Sequence, residues 1–250
     1  MISRFRISTL LALAAFAAPV AEASTFTVNP TRVLLSARAP SATVSVRNDS
    51  DQPVRLELKL HAWTQAPDGQ MQLAPTEDLV VFPTLITLRP GEQRNVRIGA
   101  TTAFGDVEKT YRVFLEELPA VSGSTTPDNA VHMLTRVGIP VFLEPAKPAA
   151  RASLTAIGLS AGALHFRLQN DGNVFFVPDA VRVRGLSAGG ATVVDKSAKG
   201  WYVLAGGVRD FVLPFAAPEC GQVRAIRIEV HVGEATLDGR LDAPAGACGP

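Results

Sequence analysis

The chain has 250 residues, of which 47% are hydrophobic and 19% are charged, and its formal net charge is +1. The apolar fraction excludes an intrinsically disordered chain, and the lack of a basic excess argues against a nucleic-acid partner. The length exceeds that of one typical domain and suits two domains of about 100–150 residues each.

Residues 1–23 have the pattern of a cleaved secretory signal peptide. Arg4 and Arg6 make a positive start, an apolar run covers 9–20, and residues 21–23 (Ala-Glu-Ala) form a small-x-small cleavage motif. The apolar run is shorter than the roughly 20 residues of a membrane span, and no later segment is long enough, so we expect no stable membrane insertion. An uncleaved anchor is the alternative. The signal is of a bacterial type, which predicts export to the periplasm.

Alternation of apolar and polar residues dominates the rest of the chain and predicts an all-β fold. A strand with one buried face is expected at 54–60, and turn residues separate the strands at 48–51, 67–69 and 89–91. About seven short strands in roughly 120 residues are typical of a β-sandwich.

A stretch with two prolines among small residues, at 144–150, interrupts the alternation and predicts a short stiff linker. Alternation restarts after it, for example at 226–232. We therefore predict an N-terminal domain over 24–145 and a second all-β domain over 146–250.

The chain has two cysteines, Cys220 and Cys248, both near the C-terminus. In an oxidising compartment such a pair is expected to form a disulfide. A redox dithiol is the alternative, but it usually has C-x-x-C spacing. The sequence therefore favours one structural disulfide.

No arrangement of residues indicates catalysis, a metal or a cofactor. The chain has four histidines, His61, His132, His165 and His231. They do not have metal-ligand spacing, and the chain has no phosphate-binding loop of the G-x-x-x-x-G-K-[ST] type. The adjacent carboxylates Glu116 and Glu117 would point to opposite faces of a strand. We therefore expect no enzyme, no metal site and no cofactor.

The segment 131–143, VHMLTRVGIPVFL, is long for a strand and apolar on both faces. Such strands are usually central and buried, but Pro140 cannot donate to a ladder and indicates an edge or a strand end. An apolar edge is an aggregation hazard unless another chain pairs with it. Two interpretations stay open: an edge that adds a partner's strand to the sheet, or a strand that switches between two sheets of its own domain.

Several short motifs, taken in order, resemble the periplasmic chaperones of the chaperone–usher pilus pathway. They are NPTRV at 29–33, NDS at 48–50, FP at 82–83, LRPGEQRNVR at 88–97, YRVFLEELP at 111–119 and VGIPVFLEP at 137–145. Together they cover almost the whole mature chain.

The resemblance implies two immunoglobulin-like β-sandwich domains in a boomerang arrangement, with a cleft between them. It implies a chaperone without enzymatic activity or nucleotide. Such a chaperone binds pilin subunits that lack their own last strand, and it fills the gap by donating its seventh strand. The complex is then delivered to an outer-membrane usher. In this family, basic residues in the cleft hold the C-terminal carboxylate of the subunit.

By the same resemblance, Arg32 matches the first carboxylate anchor of the family. The family has a lysine where this chain has Pro140, and Arg136, four residues earlier on the same strand face, is the expected replacement. The implied donor side chains are Val131, Met133, Thr135 and Val137. The departure at Pro140 and the GIPVF run look like the archaic, spore-coat-like branch of the family.

Two other classes of protein compete with this interpretation. An exported two-domain adhesin or carbohydrate binder can share the fold, since fold does not fix function. A sugar binder usually exposes aromatic side chains, whereas the adjacent aromatic pair Trp201-Tyr202 is expected to pack in the second core. An enzyme is the other alternative. A dimer that caps its own apolar edge also remains open.

Overall fold

The computed structural model describes residues 25–119 and 133–248, so the expected signal peptide and Val131 lie outside the described residues. The described part consists of seventeen β-strands and one four-residue helix. The strands pack as two immunoglobulin-like β-sandwiches, which confirms the predicted fold class.

The N-terminal sandwich contains ten strands. They are β1 (Phe26–Asn29), β2 (Val33–Leu35), β3 (Ser41–Asn48), β4 (Val54–Gln65), β5 (Met71–Pro75), β6 (Leu79–Phe82), β7 (Leu85–Leu88), β8 (Gln93–Ala100), β9 (Lys109–Glu117) and β10 (Arg136–Leu143). One sheet has the order β1-β3-β8-β6 and the other has the order β2-β10-β9-β4-β5, with β7 also pairing with β4. The pairing is antiparallel except between β10 and β2, which run parallel.

The core between these two sheets follows directly from the alternation in the sequence. Val44 and Val46 of β3 and Val96 and Ile98 of β8 are buried, whereas the polar residues between them face solvent. Each apolar side chain removed from water contributes roughly 25 cal/mol per Å² of buried surface. Each of these strands therefore folds with its apolar face toward the core and its polar face toward solvent.

The C-terminal sandwich contains seven strands and the helix. They are β11 (Ala152–Ser160), β12 (Ala163–Asn170), β13 (Ala180–Leu186), β14 (Thr192–Ala198), β15 (Val208–Pro214), α1 (Ala217–Cys220), β16 (Ala225–Val232) and β17 (Ala235–Asp242). A three-stranded sheet, β11-β12-β15, packs on a four-stranded sheet, β14-β13-β16-β17. Cys220 and Cys248 are joined by a disulfide with a Cα–Cα distance of 5.6 Å. Cys220 is buried in the core of this sandwich.

Each sandwich has a buried asparagine at the end of a strand, Asn48 in β3 and Asn170 in β12, and its side chain organises the following turn. Asn48 Nδ2 donates to the Leu88 carbonyl oxygen at 3.2 Å, and its Oδ1 accepts a hydrogen bond from the Ser50 amide at 2.9 Å. Asn170 Nδ2 similarly donates to the Val203 carbonyl oxygen at 2.9 Å. A side-chain amide can act both as a hydrogen-bond donor and as an acceptor, so these polar groups are buried without loss of hydrogen bonds.

Polar contacts join the two sandwiches on either side of the linker. Asn173 Nδ2 donates to the carbonyl oxygens of Asp106, at 2.8 Å, and of Lys147 in the linker, at 3.0 Å. On the long β4–β5 hairpin, Gln65 Nε2 donates to the Tyr202 carbonyl oxygen at 2.7 Å. Asn173 thus holds the linker to the C-terminal sandwich, and it and Gln65 also join the two sandwiches directly.

An aromatic cluster fills the junction between the sandwiches. Phe175 stacks on Phe142 with 4.0 Å between ring centroids, and the Tyr202 ring meets Trp63 edge-on at 5.3 Å. Trp63 and Phe142 come from the N-terminal sandwich, and the other two rings come from the second. The expectation that Trp201 and Tyr202 pack in the second core is therefore wrong. The loop after β14 carries Tyr202 into the interdomain cluster and leaves Trp201 exposed.

Candidate functional site

Side chains along β10 alternate between two environments, as the period of a strand requires. Odd-numbered residues face the core of the N-terminal sandwich, and these are Val137, Ile139, Val141 and Leu143. Even-numbered residues face the outer side of the sheet, and these are Arg136, Gly138, Pro140 and Phe142. The outer side of this sheet is the one that carries the interdomain cluster.

The first half of β10 is a sheet edge. β10 pairs with β9 over its whole length, but it pairs with β2 only from Val141 to Leu143. Among the described residues, 136–140 therefore have a neighbouring strand on one side only. This pairing stays within one sheet, so the described part of the segment does not switch sheets. The position of Pro140 agrees with the edge that its missing N–H indicates.

The four implied donor residues lie in different settings. Met133 is 63% exposed and lies just before β10. The Thr135 amide donates to Glu117 Oε2 at 3.0 Å, and the Thr135 carbonyl accepts from the Glu117 amide at 3.0 Å. Val137 packs against the core of its own sandwich, and Val131 lies outside the described residues. Of the three donor residues that the structure describes, Met133 is the one that presents an exposed apolar side chain.

Two arginines from segments that neighbour β10 lie near Pro140. In the antiparallel pair of β9 and β10, Arg112 lies directly opposite Pro140. β2 begins at Val33, which pairs with Val141 of β10, and Arg32 directly precedes this strand.

Arg112 is buried without a full set of hydrogen bonds. Its side chain is 6% exposed, and its guanidinium carbon lies 4.1 Å from the centroid of the Trp63 ring. Nη1 donates to the Gly138 carbonyl oxygen at 3.4 Å, whereas Nε and Nη2 have no partner among the described residues. Burial lowers the pKa of this guanidinium from its usual value. A carboxylate supplies the acceptor pair and the negative charge that such a group lacks.

Arg32 lies at the opposite edge of the same aromatic cluster. Its side chain is exposed, and its guanidinium carbon lies 5.6 Å from the centroid of the Phe175 ring. Phe175 stacks on Phe142, which in turn lies near Tyr202. The cluster therefore places one exposed and one buried guanidinium on the same face of the molecule.

Arg136 already has a partner for its charge. Its Nε lies 2.8 Å from Glu116 Oε1, and its guanidinium carbon lies 3.8 Å from the centroid of the Phe114 ring. Glu116 also accepts a hydrogen bond from Lys59, which lowers the pKa of this carboxyl, and the Arg136 charge adds to the effect. Four residues of strand separate Arg136 from Pro140, a distance of about 13 Å.

Sequence reasoning missed Arg112. A single arginine stands among apolar residues in the YRVFL segment, and this pattern is the signal in the sequence that could have drawn attention to it. Its position beside Pro140 depends on the register between two strands, which the sequence does not show. Within residues 25–119 and 133–248, no group of three or more His, Cys, Asp or Glu side chains is arranged to hold a metal ion.

Comparison with known proteins supplies the class. Residues 25–149 match the family model described as "Pili and flagellar-assembly chaperone, PapD N-terminal domain". The chain belongs to this family of pilus-assembly chaperones. No curated protein sequence matches it significantly.

Solved structures share its two-domain fold at low identity. A chain of the CsuC–CsuE chaperone–tip adhesion subunit complex, from the archaic chaperone–usher Csu pili of Acinetobacter baumannii, is 17% identical with a TM-score of 0.59, covering 86% of this chain and 97% of that one. A chain of the Salmonella enterica SafA pilin–SafB chaperone complex is 16% identical with a TM-score of 0.57, covering 89% and 99%. The E. coli chaperone DraB is also 16% identical, with a TM-score of 0.57, covering 88% and 100%.

The described part of the chain has no helix with the length and apolar character needed to cross a bilayer.

Proposed function

We propose that this protein is a periplasmic chaperone that captures pilin subunits by donating the strand leading into β10 and then delivers them to an outer-membrane usher. The observation that carries the proposal is the open edge at 136–140, with Arg112 opposite Pro140 and with Arg32 just before β2, at the same aromatic cluster. An open edge offers backbone hydrogen bonds to a partner strand, and alternate side chains provide the specificity.

The donated residues in this proposal are Val131, Met133 and Thr135. Val137 follows them in the same alternation but contributes to the chaperone's own core, so it marks the point where donation ends. An apolar side chain inserted into a groove of the subunit gains roughly 25 cal/mol per Å² of buried surface. The subunit in turn gains the strand that its fold lacks.

The carboxylate anchor in this proposal consists of Arg32 and Arg112. Arg136, which the sequence favoured as the second anchor, is already paired with Glu116 and lies about 13 Å along the strand. Arg112 lies opposite Pro140 instead, and its Nε and Nη2 atoms have no hydrogen-bond partner among the described residues. A carboxylate bound there forms charge-assisted hydrogen bonds, which are about twice as strong as neutral ones.

The archaic branch of the family, periplasmic location and usher delivery belong to the same proposal. The likeness to a structure from archaic Csu pili supports the first. The signal-like start of the sequence supports the second, and the family supports the third. The mechanism uses binding energy alone and requires neither nucleotide nor metal.

Co-purification from the periplasm tests the proposal. The tagged chain is expressed together with the products of neighbouring genes, and the proteins that elute with it are identified. We expect a small β-rich secreted subunit at one-to-one stoichiometry, unstable when expressed alone, and we expect Arg32→Ala to abolish its capture while the fold remains intact. A chain that elutes alone, with those subunits soluble in its absence, would overturn the proposal in favour of an adhesin.

A further inference from the structure

Trp201 belongs to the C-terminal sandwich but lies beside the guanidinium of Arg112 in the other sandwich. Its ring centroid is 6.0 Å from the guanidinium carbon. It is 43% exposed, whereas Trp63, which covers the same guanidinium, is 2% exposed. Trp201 is held in place by an edge-on contact with Tyr202, at 5.4 Å between centroids. An exposed indole therefore adjoins a buried cation with unpaired donors.

The distance of Trp201 from Arg112 matches the size of a terminal residue. In a C-terminal residue, the Cβ atom is two bonds from the carboxylate carbon, so its side chain extends through a region about 4–7 Å from a guanidinium that holds the carboxylate. Trp201 lies in that region. Trp63 is already stacked on Arg112, and Tyr202 packs within the cluster. Of these three aromatic side chains, Trp201 is therefore the one with solvent-exposed surface that a ligand can contact.

We propose that Trp201 determines specificity for the last side chain of the captured subunit. Arg112 holds the C-terminal carboxylate, and Trp201 packs against an aromatic or bulky apolar side chain carried by the same residue. The inference rests on the proposed function, because it needs a carboxylate at Arg112. A fully packed aromatic contact at such an anchor is expected to raise affinity about tenfold over a small side chain.

The two tryptophans of the chain make the test direct. A ¹⁵N-labelled sample has two indole N–H signals, and Trp201→Phe assigns them. The full chain is titrated with acetyl-Gly-Gly-Phe and acetyl-Gly-Gly-Ala, each as the free acid and as the amide. We expect the free acids to bind, the amides not to bind, the Trp201 indole signal to shift, and the Phe peptide to bind about tenfold more tightly than the Ala peptide.

Trp201→Ala then separates this inference from the proposed function. We expect this variant to bind both free acids equally, at the affinity of the Ala peptide, with an otherwise unchanged spectrum. Phe82→Ala, which removes an exposed ring from β6, serves as the matched control and is expected to keep the tenfold preference. A preference that persists in Trp201→Ala, or no preference in the parent protein, overturns the role of Trp201. Equal behaviour of free acids and amides in the parent instead overturns the carboxylate anchor and this inference with it.

Discussion

Arg112 and Pro140 face each other across the antiparallel pair of β9 and β10. Residues directly opposite in such a pair have Cα atoms about 4.5–5.5 Å apart. Both residues point to the outer side of the sheet, where the interdomain aromatic cluster lies. Arg112 on β9 therefore lies beside the position on β10 where the family resemblance implies a lysine and this chain has proline. In our proposal, Arg112 takes the place of that lysine as the second carboxylate anchor.

Replacing Arg112 with leucine tests this assignment. We expect Arg112→Leu to reduce capture of the co-expressed subunit at least tenfold, because the carboxylate loses its buried partner. We expect the free energy of unfolding to stay the same or rise, because an apolar side chain no longer has unpaired N–H donors to bury. The measurements are co-purification yield and urea unfolding. Arg47→Gln, on a distant strand, is the control.

The alternative assignment of the second anchor to Arg136 makes the opposite prediction. If Arg136 holds the carboxylate, Arg136→Gln eliminates capture and Arg112→Leu leaves it intact. In our proposal Arg136→Gln only releases Glu116 from one of its two cationic partners. Comparing the two variants in one co-purification experiment decides between the two residues.

An aspartate at Met133 tests strand donation. Met133→Asp places an unpaired charge in an apolar groove of the subunit, so we expect capture to fall at least tenfold. Leu134, which is also exposed, is expected to point to the other face of the donated strand. Leu134→Asp is therefore the matched control and is expected to reduce capture much less. Equal losses in the two variants would contradict the alternating insertion of side chains.

Glu108 gives the interdomain contact a dependence on pH. It is 6% exposed, its Oε1 accepts a hydrogen bond from the Phe175 amide at 3.0 Å, and its Oε2 has no partner among the described residues. Burial raises the pKa of this carboxyl from near 4.5 to about 7, the charge of Glu144 adds to the rise, and the Phe175 hydrogen bond opposes it. Between pH 4.5 and about pH 7, Glu108 is therefore protonated in the folded protein and ionised in the unfolded chain.

The sign of the effect follows from this difference in bound protons. The contribution of Glu108 to stability is full below pH 4.5 and is lost as the pH rises to about 7, by about 3 kcal/mol at most. Glu108→Gln keeps the acceptor for Phe175 and cannot ionise. We expect this variant to be more stable than the parent at pH 8 and nearly equal to it at pH 4.5, measured by urea unfolding. A larger stabilisation at the lower pH would contradict the assignment.

The sequence was a good guide to features that depend on neighbouring residues and a poor one to features set by distant contacts. Alternation predicted the two sandwiches. Arg112 was missed because its place beside Pro140 depends on a strand register. Tyr202 was assigned to the wrong cluster because its partners, Trp63 and Phe142, belong to the other domain. Neither relation leaves a local pattern in the chain.

The disulfide between Cys220 and Cys248 is expected to stabilise the C-terminal sandwich without taking part in capture. It closes a loop of 28 residues, which corresponds to about 3–4 kcal/mol of constraint on the unfolded chain. Replacing both cysteines with alanine avoids burying a free thiol or a hydroxyl in the core that Cys220 occupies.

Urea unfolding of this double alanine variant is expected to show a loss of that size, with the C-terminal sandwich unfolding first. Reduction of the parent protein provides the matched comparison, because it breaks the same bond without changing the sequence. Capture of the subunit at 25 °C is expected to persist in both, since the donor segment and Arg112 belong to the other sandwich, which has its own core. Loss of capture with the C-terminal sandwich still folded would instead show that the disulfide sets the position of the Trp201 loop against Arg112.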